Sequence, residues 1–522
     1  MESATASETA APASQDGPPG SAGSFEVHRP ADGSTIRTLP IDSPRRVAEV
    51  TARVRAAQPE WETMGLAGRR RWLERLRDWM IQNEAHLADL MQEETGKVRA
   101  EAELEAPFLC GTINYYAEHA GEFLAEETPT PHILPLRVKR LRIVYRPYPV
   151  VGVISPWNFP LILAFDDAIP ALTAGCAVVI KPSEFTPLST MEIVRAWKDE
   201  IGGPDVLDVL NGMGETGGAL VDEVDFVQFT GSDRTGKLVM KRAADTLTPV
   251  SLELGGKDPM IVLGDADLAR AVNATAAGAL ANTGQICMAI ERVYVEEPVY
   301  DEFVGRLADK VRGLRQGADG RSIGSDLGAM TTSAQAEIVA DHVDDAREKG
   351  ARVLTGGGRK DGPGDWYQPT VIADVDHSMK VMTDETFGPV IPVMKVKDAD
   401  EAVRLANDSR YGLSASVFAG SSRRGEAIAR RLEVGAVNVN DVLTNYFALG
   451  VPMGGWKESG IGFRHASYGI KKFVRPESIV SPRVKQGKAD PLWFPYTPGK
   501  RRSIARVFRF LNARGLRNRL GL

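Results

Sequence analysis

The sequence predicts an α/β protein built on two parallel-sheet domains, and three observations lead there. Between about residues 148 and 255, short apolar runs of strand length ("VVGVIS", "AVVI", "VLDVL", "FVQFTG", "VSLELGG") alternate with helical stretches, the βαβ pattern of a parallel sheet with helices on both faces. A second alternation opens at "PMIVLGDADLARAVNATAAGAL" and continues to about residue 450. The third observation is length: 522 residues exceed what one hydrophobic core ordinarily organises, so the two alternations read as separate domains.

In chain order, "MESATASETAAPASQDGPPGSAGS" (residues 1–24) is small, polar and proline-containing, which reads as disorder. It lacks an apolar core region and arginines, so neither a secretory nor a transit peptide is expected. Residues 43–125 space apolar residues three and four apart between charges, a helical pattern. "RVKRLRIVYRPYPVVGVIS" is β-branched and aromatic and reads as one or two strands. Helices are expected at "PLILAFDDAIPALTAG", "PLSTMEIVRAWKDEI" and "DRTGKLVMKRAA". The domain boundary is placed at "ELGGKDP" (253–259), where glycines and Pro259 interrupt the pattern. "RVYV", "VIPVMKV", "SVFAG" and "AVNVN" are strands of the second domain, "IKKFVRPESIV" is a late strand, and "KQGKADPLWFPYTPGK" is a linker.

Composition narrows the function classes. Cys110, Cys176 and Cys287 are too far apart for a Cys-x-x-Cys metal pattern and give no disulfide framework; a reducing, cytoplasmic compartment is expected and no metal site. The longest apolar stretch is broken by Pro156, Asn158 and Pro160 and is not a transmembrane span. Residues 499–522 carry eight basic side chains and no acid, so a total charge of −6 leaves −14 on the rest. An acidic body argues against nucleic acid as a partner and turns attention to the tail.

Ligands of open parallel sheets bind beyond the carboxyl ends of the strands, and several motifs sit there. "SPWNFP" leaves Asn158 on a loop, able to donate to an oxyanion or simply to make a turn. "KPSEFTP" sets Lys181 and Glu184 three apart, suited to a ribose diol or to plain solvation. "FTGSDRTGK" puts Gly231 and Ser232 at a helix start, a weak phosphate signal that does not match G-x-G-x-x-G. "LELGG" ends a strand on Glu253, placed as a general base or as an ion-paired structural carboxylate. "DETFGPV" presents Glu385 and Phe387. "NTGQICMAIERVYV" holds Cys287 between a turn and a strand, where a reactive thiolate competes with an ordinary packed cysteine. Together these supply a thiol, a carboxylate, an oxyanion donor and a nucleotide cradle, the set needed to oxidise an aldehyde through a thioester.

With "PWNFP", "KPSE", "FTGS", "ELGGK", "GQIC", "ETFGPV" and "PMGGWKESGIG" in this order, the chain resembles the aldehyde dehydrogenase superfamily over roughly residues 28–482. The resemblance implies a Rossmann-like NAD(P)-binding domain (25–128 and 148–254), a catalytic domain (255–455) and a β-extension (129–147 and 470–482) that pairs subunits into a homodimer or homotetramer. It implies Cys287 as nucleophile, Asn158 with the Cys287 N–H as oxyanion hole, and Glu253 as base. Lys181 and Glu184 would hold the adenosine ribose, Gly231 and Ser232 the pyrophosphate, and Glu385 the nicotinamide ribose, with Phe387 and Trp157 also on the cofactor side. Attack by a thiolate requires surroundings that lower the pKa of Cys287.

Glu184 favours NAD, since a carboxylate repels a 2′-phosphate, although NADP remains open. Leu161, Leu163 and Phe165 are expected along an apolar tunnel, and Asp166, if it faces that tunnel, would oppose an anionic substrate. Uncharged aliphatic, including long-chain, or aromatic aldehydes are therefore expected, with succinic semialdehyde as the alternative. Coenzyme A acylation and a non-enzymatic binding role are the further alternatives. The tail 483–522 contains "SIARVFRFLNARG", with Ile504, Val507, Phe508 and Leu511 on one helical stripe and Ser503 able to cap it. This predicts a basic amphipathic helix, either in peripheral contact with a membrane through residues 499–522 or docked on protein.

Overall fold

A computed structural model describes residues 21–485, 487–490 and 493–520. Two compact units divide them: one holds the chain up to Phe123 together with Pro147–Phe473, the other Leu124–Arg146 and Val474–Leu522.

The first unit contains both parallel sheets. A six-stranded sheet runs Gly460–Ile461, Val250–Glu253, Phe226–Thr230, Val150–Ile154, Ala177–Lys181, Leu207–Val209; only the Gly460–Ile461 edge is antiparallel. A seven-stranded sheet runs Arg352–Thr355, Thr370–Ala373, Val390–Val396, Ile290–Glu296, Asp258–Val262, Ser414–Phe418, Ala436–Val439, again with one antiparallel edge, Arg352–Thr355. The chain changes sheet between Glu253 and Asp258, and returns at Gly460 to close the edge beside Glu253.

Alternation along each strand explains why these runs are apolar throughout. Met260 and Val262 enter one core with Val293, Val295 and Phe303, while Ile261 and Leu263 enter another with Val339, Val343 and Val417. Side chains of period two thus feed two cores, and both faces of the sheet are covered by helices. The helix Pro44–Thr63 begins where the chemistry allows: Pro44 takes a first-turn position and the Ser43 hydroxyl accepts from Arg46 N at 3.3 Å.

Residues 1–20 of the segment read as disordered lie outside the described residues. Residues 21–24 do not fit that reading: they open the strand Ser21–His28, antiparallel to Thr35–Asp42. Phe25, Val27 and Leu39 pack there with Leu188, a contact too distant in sequence to be read from a polar terminus.

In the second unit, Lys139–Pro147 pairs with Val474–Pro482 in a two-stranded sheet. Both strands lie within the segments expected for the extension, 129–147 and 470–482, and the second starts later than expected because residues 470–471 finish the helix Ala466–Lys471. The tail forms the helix Pro498–Asn512. Its cap is Thr497, whose hydroxyl accepts from Lys500 N at 3.2 Å, and not Ser503, which lies inside the helix. No helix among the described residues is long and apolar enough to cross a membrane.

Candidate active site

Cys287 follows a turn that only a tightly held backbone can make. Asn282, Thr283 and Gly284 have φ of 50°, 56° and 75°, and a left-handed β-branched threonine is costly, of order 1–3 kcal/mol. Glu101 accepts from Asn282 N at 2.6 Å and Gly328 O from the Thr283 hydroxyl at 3.3 Å, which holds the turn. Two glycines let it approach its neighbours: a Cβ on Gly284 would lie 2.1 Å from Gly388 O, and one on Gly256 would lie 2.3 Å from Cys287 O.

One cavity of about 250 Å³ is lined by Trp157, Asn158, Gly231, Ser232, Glu253, Cys287, Glu385 and Phe387. Residues drawn from five separated motifs therefore meet at a single void. Gln335 and Ile338 also line it, and no motif signalled them.

Water exclusion sets the charge states inside. Glu253 is buried, neither carboxylate oxygen has a hydrogen-bond partner among the described residues, and burial raises its pKa to about 7. This disposes of the ion-paired structural reading. Burial also lifts Glu385 to about 8; its Oε1 accepts from Gly256 N at 2.9 Å. The expected acidic thiol is not found: burial pushes Cys287 up to about 12, against an opposing pull from Arg464, with Asp258, Glu385 and Glu253 adding negative potential. The motif identified the sulfur but not its low-dielectric surroundings. By exposed surface Cys287 is only partly buried, whereas Cys110 and Cys176 are buried, and burial raises both of those.

Buried ion pairs hold the loops. Asn158 Nδ2 donates to Gln285 O at 2.9 Å, and Asn158 O accepts from Lys97 Nζ and Asn282 Nδ2, both at 3.0 Å. Lys97 also pairs with Glu105, whose other oxygen accepts from Leu161 N and Ile162 N at 3.1 Å, and lies 4.1 Å from the centre of the Phe159 ring. Glu291 accepts from Thr386 N and Phe387 N at 2.8 and 2.7 Å, and pairs with Lys257 at 2.6 Å. Phe387, at φ 50°, meets Trp157 edge-on at 5.4 Å.

A second cavity, about 1000 Å³, is lined by Trp157, Lys181, Glu184, Gly231 and Ser232. Lys181 and Glu184 lie 3.5 Å apart, and Ser232 caps the helix Asp233–Ala244 by accepting from Thr235 N at 3.3 Å. A helix start for phosphate, a carboxylate and ammonium for hydroxyls, and this much room suit a dinucleotide.

A third, apolar chamber of about 70 Å³ is lined by Phe159, Ile162, Leu163, Ile286, Met288, Leu443, Tyr446 and Phe447, with Asn158 and Cys287 at its wall. Of the expected tunnel residues only Leu163 is present; Leu161 and Phe165 are buried elsewhere. Asp166 does not face it. Its carboxylate accepts from the Tyr446 hydroxyl at 3.2 Å and sits 2.9 Å from His465 Nε2, so it exerts its charge on that pair instead. A helix presents alternating faces, and only Ile162 and Leu163 fall on the facing side.

The sequence model described as the aldehyde dehydrogenase family matches residues 18–479. A Mycolicibacterium smegmatis protein, provisionally named a succinate-semialdehyde dehydrogenase (NADP(+)), is 41% identical over 87% of each chain. The 4,4'-diapolycopene aldehyde oxidase of a Methylomonas species is 38% identical over 90% of this chain and 87% of its own. Among solved structures, a provisionally titled aldehyde dehydrogenase of Anabaena variabilis superposes with a TM-score of 0.86 at 39% identity, covering 90% of this chain and all of its own. An NAD+ complex of the Bacillus cereus aldehyde dehydrogenase gives 0.84 at 32%, covering 88% and 93%.

The Lys97 contacts generate a prediction. Lys97→Met strands the buried Glu105 carboxylate and frees the Asn158 carbonyl, so calorimetry should show a loss of about 3–5 kcal/mol. Lys97→Met/Glu105→Gln should recover part of that stability while turnover stays depressed and dinucleotide affinity, measured by fluorescence titration, is unchanged.

Proposed function

The chain belongs to the aldehyde dehydrogenase family, an NAD(P)-dependent oxidoreductase of that type, and within it we propose that it oxidises uncharged aldehydes to free carboxylic acids through a thioester on Cys287. The observation that carries this reading is the shared cavity of Asn158, Glu253 and Cys287.

Cys287 Sγ attacks the aldehyde carbon. Because burial keeps the thiol protonated, its proton leaves as the C–S bond forms, and Glu253 is the carboxylate in the same cavity with free oxygens to take it. One Asn158 amide hydrogen is held by Gln285 O; the other, with the Cys287 N–H, is assigned to the developing oxyanion. NAD(P)+, when bound, supplies the hydride acceptor. Lys181, Glu184, Gly231 and Ser232 would hold its adenosine half, and Glu385, Phe387 and Trp157 the nicotinamide half. Glu253 first releases the thiol proton to solvent, then takes a proton from water as that water attacks the thioester, and returns it to the Cys287 sulfur as the acid leaves, so that thiol and carboxylate are both regenerated. A free base in this position favours hydrolysis over transfer to coenzyme A.

The apolar chamber supports an uncharged substrate. Among the described residues its lining holds no cation, so a distal carboxylate would be desolvated without a partner there. Glu184 supports a preference for NAD. The same reading includes a homo-oligomer formed through the mostly exposed Val474–Pro482 strand, and a cytoplasmic site supported by three free thiols.

Cys287→Ala should abolish NADH formation yet retain dinucleotide binding. Glu253→Gln should leave a slowed burst of reduced cofactor and a steady-state rate lower by about 100-fold or more. A carboxyl with a raised pKa is a base only once deprotonated, so wild-type turnover should rise through about pH 7 and level above it, and Glu253→Gln should lack that limb. Free acid as product supports the reading; acyl-CoA formation on adding coenzyme A overturns it.

Across a panel of aldehydes, neutral ones should exceed succinic semialdehyde in kcat/KM by about tenfold or more, equivalent to about 1.4 kcal/mol of transition-state discrimination. Equal or reversed values contradict the role given to the apolar lining.

A further inference from the structure

The helix Pro498–Asn512 buries none of its residues. At 3.6 residues per turn, Ile504, Val507, Phe508 and Leu511 share one face and Arg502, Arg506 and Arg509 the opposite one, with Arg501 and Phe510 at the two borders. Val507, Phe508 and Phe510 are each about half exposed. Just before the helix, Trp493, Phe494 and Tyr496 are more exposed still. Arg514, Arg517 and Arg519 follow, the last two on the short helix Leu516–Leu520, and no acid interrupts residues 499–522.

We propose that residues 493–520 are a docking surface for an anionic lipid bilayer, with the helix lying in the plane of the interface. Two facts select this occupant. A protein surface that covered the apolar face would leave the arginines merely solvated, making no use of their clustered charge, and an acidic surface that paired the arginines would leave the phenylalanines in water. At a bilayer both faces are satisfied together: the apolar stripe enters the acyl boundary while arginine stems extend their guanidinium groups to lipid phosphates. Charge points the same way. A body of −14 is repelled by anionic lipid, so contact must be made by a segregated basic segment. Exposed tryptophan and tyrosine before the helix suit the headgroup level. The docking would keep the enzyme where apolar aldehydes partition, but it does not depend on the aldehyde reading.

The test uses the full chain, with vesicles of phosphatidylcholine alone or mixed with phosphatidylglycerol, read by co-sedimentation. The full chain should sediment with the mixed vesicles and be released by salt. Removing residues 486–522, or making Val507→Glu/Phe508→Glu or Arg506→Glu/Arg509→Glu, should lower the bound fraction by about tenfold, with turnover of a water-soluble aldehyde unchanged. Amide exchange across 498–512 should slow only when vesicles are added. Slow exchange without lipid, meaning the helix is packed on its own chain or a second copy, would overturn the proposal, as would equal sedimentation of the truncated chain.

Discussion

Cys287 and Glu253 share a cavity walled by Asn158, Leu163, Leu254 and Phe387, and the removal of water from it acts on both groups. The carboxyl is lifted to about 7, where it can exchange protons near neutrality, and the thiol to about 12, where it stays protonated at rest. A neutral thiol resists oxidation better than a thiolate does, so Cys287, as the proposed nucleophile, would be protected until an aldehyde and a base are both beside it. On the proposed reading, the chemistry would depend on proton transfer inside the cavity and not on a preformed anion.

Maintaining that cavity explains the buried charges around it. Lys97 with Glu105, Lys257 with Glu291, and Arg464 with Asp167 are all nearly inaccessible to solvent. Such pairs contribute little net stability, since desolvation offsets attraction, but breaking one is expensive. Each ties a functional loop to a distant element: Lys97 to the Asn158 carbonyl, Glu291 to the Phe387 backbone, Arg464 to Thr230 at the cavity wall. Asp167 is held ionised by Arg464 and Lys472 despite complete burial. The strained turn before Cys287 persists because contacts of this kind over-determine it.

Much of the site could be read from strand ends. Lys181, Glu253 and the Asn158 loop follow or finish apolar runs that could only be buried strands, and in an α/β protein those ends face ligands. What stayed hidden were contacts between residues remote in sequence. The hairpin from Ser21 depends on Leu188, and the orientation of Asp166 depends on His465 and Tyr446 about 300 residues later. Periodicity placed Leu161 and Phe165 on a helix without telling which side met the cavity. The Cys287 environment was misjudged for a related reason: local motifs report the residue, while its dielectric is set by everything that closes over it.

The most direct test is the pH dependence of Cys287 alkylation by iodoacetamide in cofactor-free enzyme, compared between wild type and Glu253→Gln, with Cys287→Ala as the blank. If the Cys287 thiol relies on Glu253 for deprotonation, wild type should show an inflection near pH 7, and the variant should instead climb steadily through and beyond the ordinary thiol range. Fast alkylation with a plateau at neutral pH in both proteins would mean a preformed thiolate and would contradict the account.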